Sequence, residues 1–182
     1  EGALTESVNT IAVDVLMQTG INNVVETARD LGLEADLPRV PSLELGVASI
    51  SLKDLLHAYS TMVNRGTEVE PYYLVSISNS QGEVLEEFQQ PVAEQTDLNP
   101  VNCQIVTHMM ESVVNEGTGR GIRTVYGVAG DFAGKTGTTQ NHSDGWFVGL
   151  TPHLVTGCWV GAEDPGVHFR TITYGQGSYM AM

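Results

Sequence analysis

A single stretch anchors the fold of this chain: Phe132-Ala133-Gly134-Lys135-Thr136-Gly137-Thr138-Thr139. It contains one lysine, three hydroxyl side chains and two glycines in eight residues, and the whole chain has only one other lysine. Two apolar runs follow at 146–150 and 154–160, each short, rich in β-branched and aromatic residues, and bounded by turn residues. That pattern is typical of strands. We therefore predict three successive antiparallel strands, with the lysine strand first and free to form a sheet edge.

The lysine strand also has the composition of a binding site. Gly134 and Gly137 thin it, and glycine in a strand often marks a place where a ligand or another backbone approaches closely. Thr136 and Thr138 have the same parity, so their hydroxyls face one side of the strand, whereas Lys135 faces the other. A twisted edge strand relaxes that divergence in part. The exposed edge also offers backbone N–H groups to an oxyanion or an extended peptide. The stretch therefore predicts a carboxylate or oxyanion site.

The composition limits the classes of function. With 182 residues and 41% hydrophobic content, the chain is one domain or a large part of one, with a packed core. A formal net charge of -14 argues against nucleic-acid binding and against a polybasic membrane patch. Cys103 and Cys158 match no zinc spacing, and we interpret both as small core residues while leaving a disulfide between them open.

Helical periodicity predicts three helices in the first third of the chain, at 3–19, 22–32 and 51–64. The expected caps and stops are Gly20, Asn22 or Asn23, Gly32, Ser51 and Arg65-Gly66. Ser7 and Asn9 lie two residues apart, so they can serve one site only at or near a helix end, where the backbone is less regular. By themselves both are interpreted as N-terminal capping residues. His57, alone on its helix, is interpreted as structural.

The middle of the chain predicts a β-hairpin, a linker and a further helix. Strands at 72–77 and 83–88 flank a turn, residues 89–99 form a polar linker, and a helix covers 101–116. One face of that helix should bury Ile105, Val106, Met109, Met110 and Val113. The glycine-rich segment 116–123 is expected to be a flexible turn, because it follows a helix where a dinucleotide loop would follow a strand. No closing element is evident at 161–182, although 178–182 could start a helix.

A phosphate-binding P-loop is the first alternative for Gly134-Lys135-Thr136. That motif requires another glycine five residues before Gly134, where Ala129 stands, and a lysine that opens a helix. The residues after Lys135 have a strand pattern instead. We therefore favour the carboxylate or oxyanion site over a nucleotide site.

The motifs resemble those of the transpeptidase domain of penicillin-binding proteins, most closely the bifunctional class A enzymes. The resemblance covers nearly the whole chain and is carried by Lys135-Thr136-Gly137-Thr138, Asp144-Gly145-Trp146-Phe147-Val148-Gly149-Leu150-Thr151-Pro152, Gly117-Thr118-Gly119 and Gly175-Gln176-Gly177-Ser178. It identifies Ser7-Val8-Asn9 with the family's Ser-x-Asn motif, which lies at a helix junction beside the Lys-Thr-Gly strand.

The family's third motif, Ser-x-x-Lys, supplies the nucleophilic serine, and this chain does not contain it. Lys53 is preceded three positions back by Ile50, and Lys135 by Phe132. In the family that motif precedes Ser-x-Asn, so we expect it before residue 1, and we expect the closing helix after Met182. The resemblance thus implies a fragment that is inactive alone.

The resemblance also implies roles for the site residues. Ser7 relays a proton to the leaving nitrogen, Asn9 hydrogen-bonds the substrate amide, and Lys135 favours the substrate's terminal carboxylate. The substrate-binding stretch is Thr136, Gly137, Thr138 and Thr139, in which the hydroxyls of Thr136 and Thr138 bind that carboxylate. The Thr138 N–H, with that of the missing serine, forms the oxyanion hole. No metal and no cofactor are called for.

The implied fold is α+β, an antiparallel sheet covered by helices with a mostly helical lobe, incomplete at both ends. One transpeptidase domain would include 1–182, divided into a helical lobe (1–66), a hairpin and linker (67–97), a helix and glycine-rich turn (98–131) and the sheet strands (132–182). The expected partners are peptidoglycan stem peptides and β-lactam antibiotics. The parent chain is expected to be membrane-anchored, bacterial and extracytoplasmic, with an upstream glycosyltransferase domain. The fragment alone should self-associate through its uncovered sheet.

Two other functions stay open from the sequence. One is a non-catalytic module that binds muropeptides or β-lactams. The other is a related serine hydrolase, such as a D,D-carboxypeptidase or a β-lactamase. A Ser-x-x-Lys motif in the parent distinguishes the transpeptidase from the first alternative, and product analysis distinguishes it from the second.

Overall fold

The computed structural model describes residues 1–164 and 166–182 and has the α+β architecture that the sequence predicts. The helices are α1 (Gly2–Thr5), α2 (Asn9–Thr19), α3 (Ile21–Asp30), α4 (Leu52–Val63), α5 (Pro100–Asn115), α6 (Gly121–Thr124), α7 (Ile172–Gly175) and α8 (Gly177–Met180), with 3-10 turns at Pro41–Leu45 and Gln140–His142. The strands are β1 (Thr67–Glu68), β2 (Ser76–Ser78), β3 (Val84–Glu87), β4 (Glu94–Gln95), β5 (Ala133–Thr138), β6 (Asp144–Thr151) and β7 (Leu154–Gly161). Within the described residues no helix is long and apolar enough to cross a membrane.

The main sheet consists of three antiparallel strands in the order β5–β6–β7, which confirms the prediction from the lysine stretch. Lys135 lies opposite Val148, and Trp146 lies between Gly137 on one side and Trp159 on the other. Helix α5 packs against β5, and its Met110 joins Ala133, Val148 and Leu150 in the core. The lysine strand therefore has a buried side against α5 and one unpaired edge among the described strands.

The predicted helix at 3–19 is in fact two helices, α1 and α2, interrupted at Ser7. Ser7 has φ 54, in the left-handed region that a serine rarely adopts. The backbone N–H of Val8 donates to the carbonyl of Ala3 at 2.9 Å, closing the end of α1 before α2 begins at Asn9. Apolar periodicity continues through the break, so it could not reveal it. The requirement that Ser7 and Asn9 lie at a helix end is nevertheless met.

The other helices of the first third differ from prediction mainly in their caps. Helix α3 begins one residue earlier than predicted, after Gly20, and no side chain caps it. Neither Asn22 nor Asn23 is its cap; Asn23 donates back to the carbonyl of Thr19 at 2.8 Å instead. Helix α4 is as predicted, with Ser51 accepting from the N–H of Asp54 at 3.1 Å.

His57 projects from α4 toward a carboxylate. Its Nε2 lies 3.3 Å from Glu68 Oε1, without the geometry of a hydrogen bond. The side chain is 10% exposed, which agrees with a structural interpretation.

The hairpin forms but is shorter than predicted, with a bulge at Ile77/Ser78. The polar linker is not entirely irregular, because β4 pairs with β1 in a two-stranded sheet. Two residues are too short a run to leave a periodic signal in the sequence.

The predicted buried face of helix α5 is confirmed at Met110 and Val113 and is wrong at Ile105 and Val106. Ile105 is 51% and Val106 40% exposed, whereas the buried stripe is Cys103, Met110, Ser112, Val113 and Val114. The helix is apolar around much of its circumference, so its packing against β5, α1 and α4 selects the buried side. Cys103 is buried as predicted, but Cys158 is exposed on β7, and both thiols are free.

The glycine-rich segment after α5 is ordered by close packing, which corrects its interpretation as a flexible turn. A Cβ at Gly117 would collide with the carbonyl oxygen of Thr5 in α1. The N–H of Gly119 donates to the carbonyl of Val113 at 2.9 Å. The segment therefore holds α1 against the end of α5.

The C-terminal residues form two short helices, α7 and α8, and α8 agrees with the prediction that a helix could start near 178. Helix α7 packs against α8, and α8 lies over the β5–β6 hairpin, where Gly137, Gly145 and Gly177 permit close approach. A Cβ added at Gly145 would lie 2.9 Å from the Cα of Gly177. A Cβ on Gly177 would itself lie 2.6 Å from the carbonyl oxygen of Trp146 and collide with that of Gly137.

This packing predicts a steric requirement for glycine at 177. The variant Gly177→Ala should lower the free energy of unfolding by about 3 kcal/mol, the upper end for overpacking, because both obstacles are backbone atoms. Urea denaturation measures the change. Gly2→Ala is the matched control, because a Cβ there meets nothing within 4 Å, and its effect should stay within about 0.5 kcal/mol. Equal effects for the two variants would contradict the packing argument.

Candidate active site

The site is built on a contact between residues 128 positions apart. The Nζ of Lys135 donates to Ser7 Oγ at 2.8 Å and to the carbonyl oxygen of Thr136 at 2.9 Å. The second bond turns the lysine side chain back along its own strand, which resolves the divergence expected for a flat strand. The structure thus brings together the two predicted motifs.

Ser7 reaches the lysine because of the break between α1 and α2. Its left-handed backbone lifts the side chain out of the helical path, and the side chain is exposed. Asn9 is the first residue of α2 and is also exposed, one residue beyond the Val8 N-cap. The irregular backbone between the two helix ends therefore places Ser7 at Lys135, and Asn9 follows two residues later as the first residue of α2.

The threonine hydroxyls of β5 have different protein partners. Thr136 is 9% exposed, and its Oγ1 lies 2.7 Å from the Oγ1 of Thr118. Thr138 is exposed, and its Oγ1 accepts from the backbone N–H of Gly177 at 3.0 Å. Because an N–H can only donate, the hydroxyl proton of Thr138 is free to point toward a ligand.

Thr139 belongs to the turn that follows the strand. Its Oγ1 lies 2.9 Å from Ser143 Oγ and accepts from the N–H of Asp144 at 3.1 Å. These bonds fix the connection between β5 and β6. The hydroxyl of Thr139 thereby supports the geometry at the end of β5.

The electrostatics of Lys135 suit an anionic ligand. Burial lowers the pKa of Lys135 below the ordinary lysine value, because desolvation disfavours the charged form. Among residues 1–164 and 166–182, no carboxylate lies within ion-pair distance of its Nζ. An anion that reached this ammonium would therefore meet a partly desolvated charge that the protein has not neutralised.

Comparison with known proteins identifies the arrangement. Residues 1–158 match the model of the penicillin binding protein transpeptidase domain. This chain belongs to the penicillin-binding protein transpeptidase family. Two similar relatives are penicillin-binding protein 1A of Aquifex aeolicus, 39% identical over 161 residues (88% of this chain, 21% of that protein), and of Neisseria lactamica, 34% identical over 167 residues (90% and 21%).

Solved structures of penicillin-binding proteins have the same fold. Penicillin-binding protein 1A of Haemophilus influenzae superimposes with a TM-score of 0.80 at 22% identity, over 91% of this chain and 30% of that chain. PonA1 of Mycobacterium tuberculosis, in complex with penicillin V, superimposes with a TM-score of 0.77 at 25% identity, over 97% and 51%. In sequence, this transpeptidase chain spans about a fifth of the length of the two penicillin-binding protein 1A relatives named above.

Two residues around the site were not assigned roles from the sequence. Thr118 and Gly177 lie in segments that carry the family resemblance. The sequence predicts only a turn around Thr118 and assigns no role to Gly177. Their contacts with Thr136 and Thr138 bridge 18 and 39 positions. No local pattern in the sequence indicates such pairings.

The lowered pKa of Lys135 predicts a pH-dependent stability. Between that lowered value and about 10.4, the ordinary lysine value, the unfolded chain binds more protons than the folded one, so stability rises with pH. We expect the free energy of unfolding of the wild type, minus that of Lys135→Met, to increase with pH across this window. Urea denaturation at stepped pH values measures the difference.

The matched control replaces the other lysine, Lys53, which is exposed in the first turn of α4. A pH slope as large for Lys53→Met as for Lys135→Met would contradict the assignment of the effect to burial.

Proposed function

We propose that this transpeptidase domain crosslinks peptidoglycan stem peptides by serine acyl transfer and is acylated by β-lactams. The observation that carries the proposal is the 2.8 Å contact between Lys135 Nζ and Ser7 Oγ, beside a strand with the Lys-Thr-Gly-Thr pattern. A desolvated ammonium next to a serine hydroxyl suits both the binding of a carboxylate and the transfer of a proton.

The reaction has two steps that share one intermediate. In the first, a serine oxygen attacks the carbonyl between two D-alanines, the peptide bond breaks, and the terminal D-alanine leaves after its nitrogen gains a proton. In the second, an amine of a neighbouring stem attacks the acyl-enzyme ester. The new amide is the crosslink, and the serine oxygen recovers a proton from that amine.

Ser7 is the residue proposed to pass the proton to the leaving nitrogen. Lys135 donates to Ser7 Oγ and so occupies a lone pair of that oxygen. The hydroxyl proton of Ser7 is then free to point away from Lys135, toward the substrate. The same ammonium attracts the terminal carboxylate of the stem peptide.

The remaining residues are proposed to bind and orient the substrate. Asn9, exposed at the start of α2, hydrogen-bonds the substrate amide. The hydroxyls of Thr136 and Thr138 donate to the carboxylate, and the backbone N–H of Thr138 forms half of the oxyanion hole. Gly137 keeps the strand thin where the peptide lies, and Thr139 supports the turn beside it.

The nucleophilic serine is proposed to come from a part of the protein outside this sequence. Neither lysine of this chain has a serine three positions before it. We therefore expect the chain alone to be inert. We also propose that the whole protein resembles its class A relatives in being an anchored, extracytoplasmic enzyme with a glycosyltransferase domain. The binding of penicillin V by PonA1, whose fold this chain shares, supports the β-lactam part of the proposal.

Covalent labelling tests the proposed function. Fluorescent penicillin, read on a denaturing gel, should label the whole protein and leave this chain unlabelled. Labelling of neither would favour a non-catalytic relative. Labelling of this chain alone would place the nucleophile within it and overturn the account of the missing motif.

The role of Ser7 predicts a specific loss in the whole protein. Ser7→Ala should reduce the rate of acylation by penicillin about 100-fold or more, the usual range for a positioned proton donor. Stopped-flow or timed gel labelling measures the rate. Ser80→Ala is the control, since that serine is exposed in the hairpin turn between β2 and β3. An unchanged rate in Ser7→Ala would remove Ser7 from the mechanism.

A further inference from the structure

We propose that Thr118 is a positioning residue of this active site. It connects the segment that carries Ser7 to the strand that carries Lys135, and it fixes the hydroxyl of Thr136 as a donor to the substrate carboxylate. The inference rests on the proposed function, which assigns that carboxylate to the β5 hydroxyls.

The first half of the connection is a backbone contact. The N–H of Thr118 donates to the carbonyl of Thr5 at 3.2 Å, two residues before Ser7. Thr5 is 5% exposed, and its Oγ1 lies 2.9 Å from the Oγ of Ser112 in α5. The neighbouring Gly117 leaves no room for a side chain against Thr5. Thr118 is therefore fixed to the end of α1 from which the Ser7 segment departs.

The second half is a pair of hydroxyl groups. Thr118 Oγ1 and Thr136 Oγ1 are 2.7 Å apart, and either can donate. A bound carboxylate can only accept, so Thr136 must donate to it, and the pair is then retained only if Thr118 donates to Thr136. Hydrogen bonds in such a chain polarise one another, so the Thr118 hydroxyl strengthens the bond from Thr136 to the carboxylate.

Together these contacts close a ring around the site. The path runs from Thr5 along the chain to Ser7, across to Lys135, one residue on to Thr136, across to Thr118, and back to Thr5. Each crossing is a hydrogen bond, and each segment along the chain is one or two residues long. Thr118 takes part in two of the three hydrogen bonds that close the ring. It touches neither Ser7 Oγ nor Lys135 Nζ.

The test compares two inhibitors on the whole protein. Thr118→Val removes the hydroxyl at nearly constant volume. It should lower the second-order rate constant of acylation by penicillin about 3- to 10-fold, the range expected for one net hydrogen bond. Acylation by the penicillin methyl ester, which has no anionic carboxylate, should change by less than about 2-fold, within the smallest effect of one bond. Thr118→Ser restores the hydroxyl and should restore the rate with penicillin.

The controls separate this inference from the proposed function and from a general loss of structure. Thr124→Val alters an exposed threonine in nearby α6 and should change neither rate. If the wild type is not acylated at all, the proposed function fails. If the wild type is acylated and Thr118→Val loses the same factor with penicillin and with the ester, or loses nothing, the positioning role of Thr118 is overturned.

Discussion

The site depends on one desolvated lysine. Lys135 lies on a thin edge strand, within hydrogen-bonding distance of Ser7, and burial lowers its pKa. Keeping such a charge away from water has a cost in free energy that no carboxylate among the described residues offsets through an ion pair. An external anion could offset that cost, and under the proposed function this anion is the terminal carboxylate of a stem peptide.

Close backbone contacts hold the surroundings of that lysine in place. Gly177 fits against the β5–β6 hairpin only because it has no side chain, and its N–H then reaches the hydroxyl of Thr138. Gly117 plays the corresponding part on the other side, where it allows Thr118 to approach α1. In both places a glycine brings a backbone N–H to a fixed acceptor. The Gly177 bond leaves the Thr138 hydroxyl free to donate elsewhere, and the Gly117 contact places Thr118 where its hydroxyl meets that of Thr136.

The parts of the fold that the sequence predicted correctly are those with strong local signals. The strands after residue 132 include two short runs rich in β-branched and aromatic residues that end at turn residues, and α4 has a serine cap and a glycine stop. The failures share a different cause. The break at Ser7 lies inside a continuous apolar pattern, and the buried face of α5 depends on which neighbour covers it. Local pattern carries no information about either.

The sequence by itself determined the family, the order of the two motifs and the residue types at the site, because these are local and the Lys-Thr-Gly-Thr strand is distinctive. Tertiary structure alone decided that Ser7 meets Lys135, that Thr118 meets Thr136 and that Gly177 meets Thr138. The reason is physical. Hydrogen bonds of about 3 Å between segments 18 to 128 residues apart exist only after packing has fixed the distance and direction between those segments.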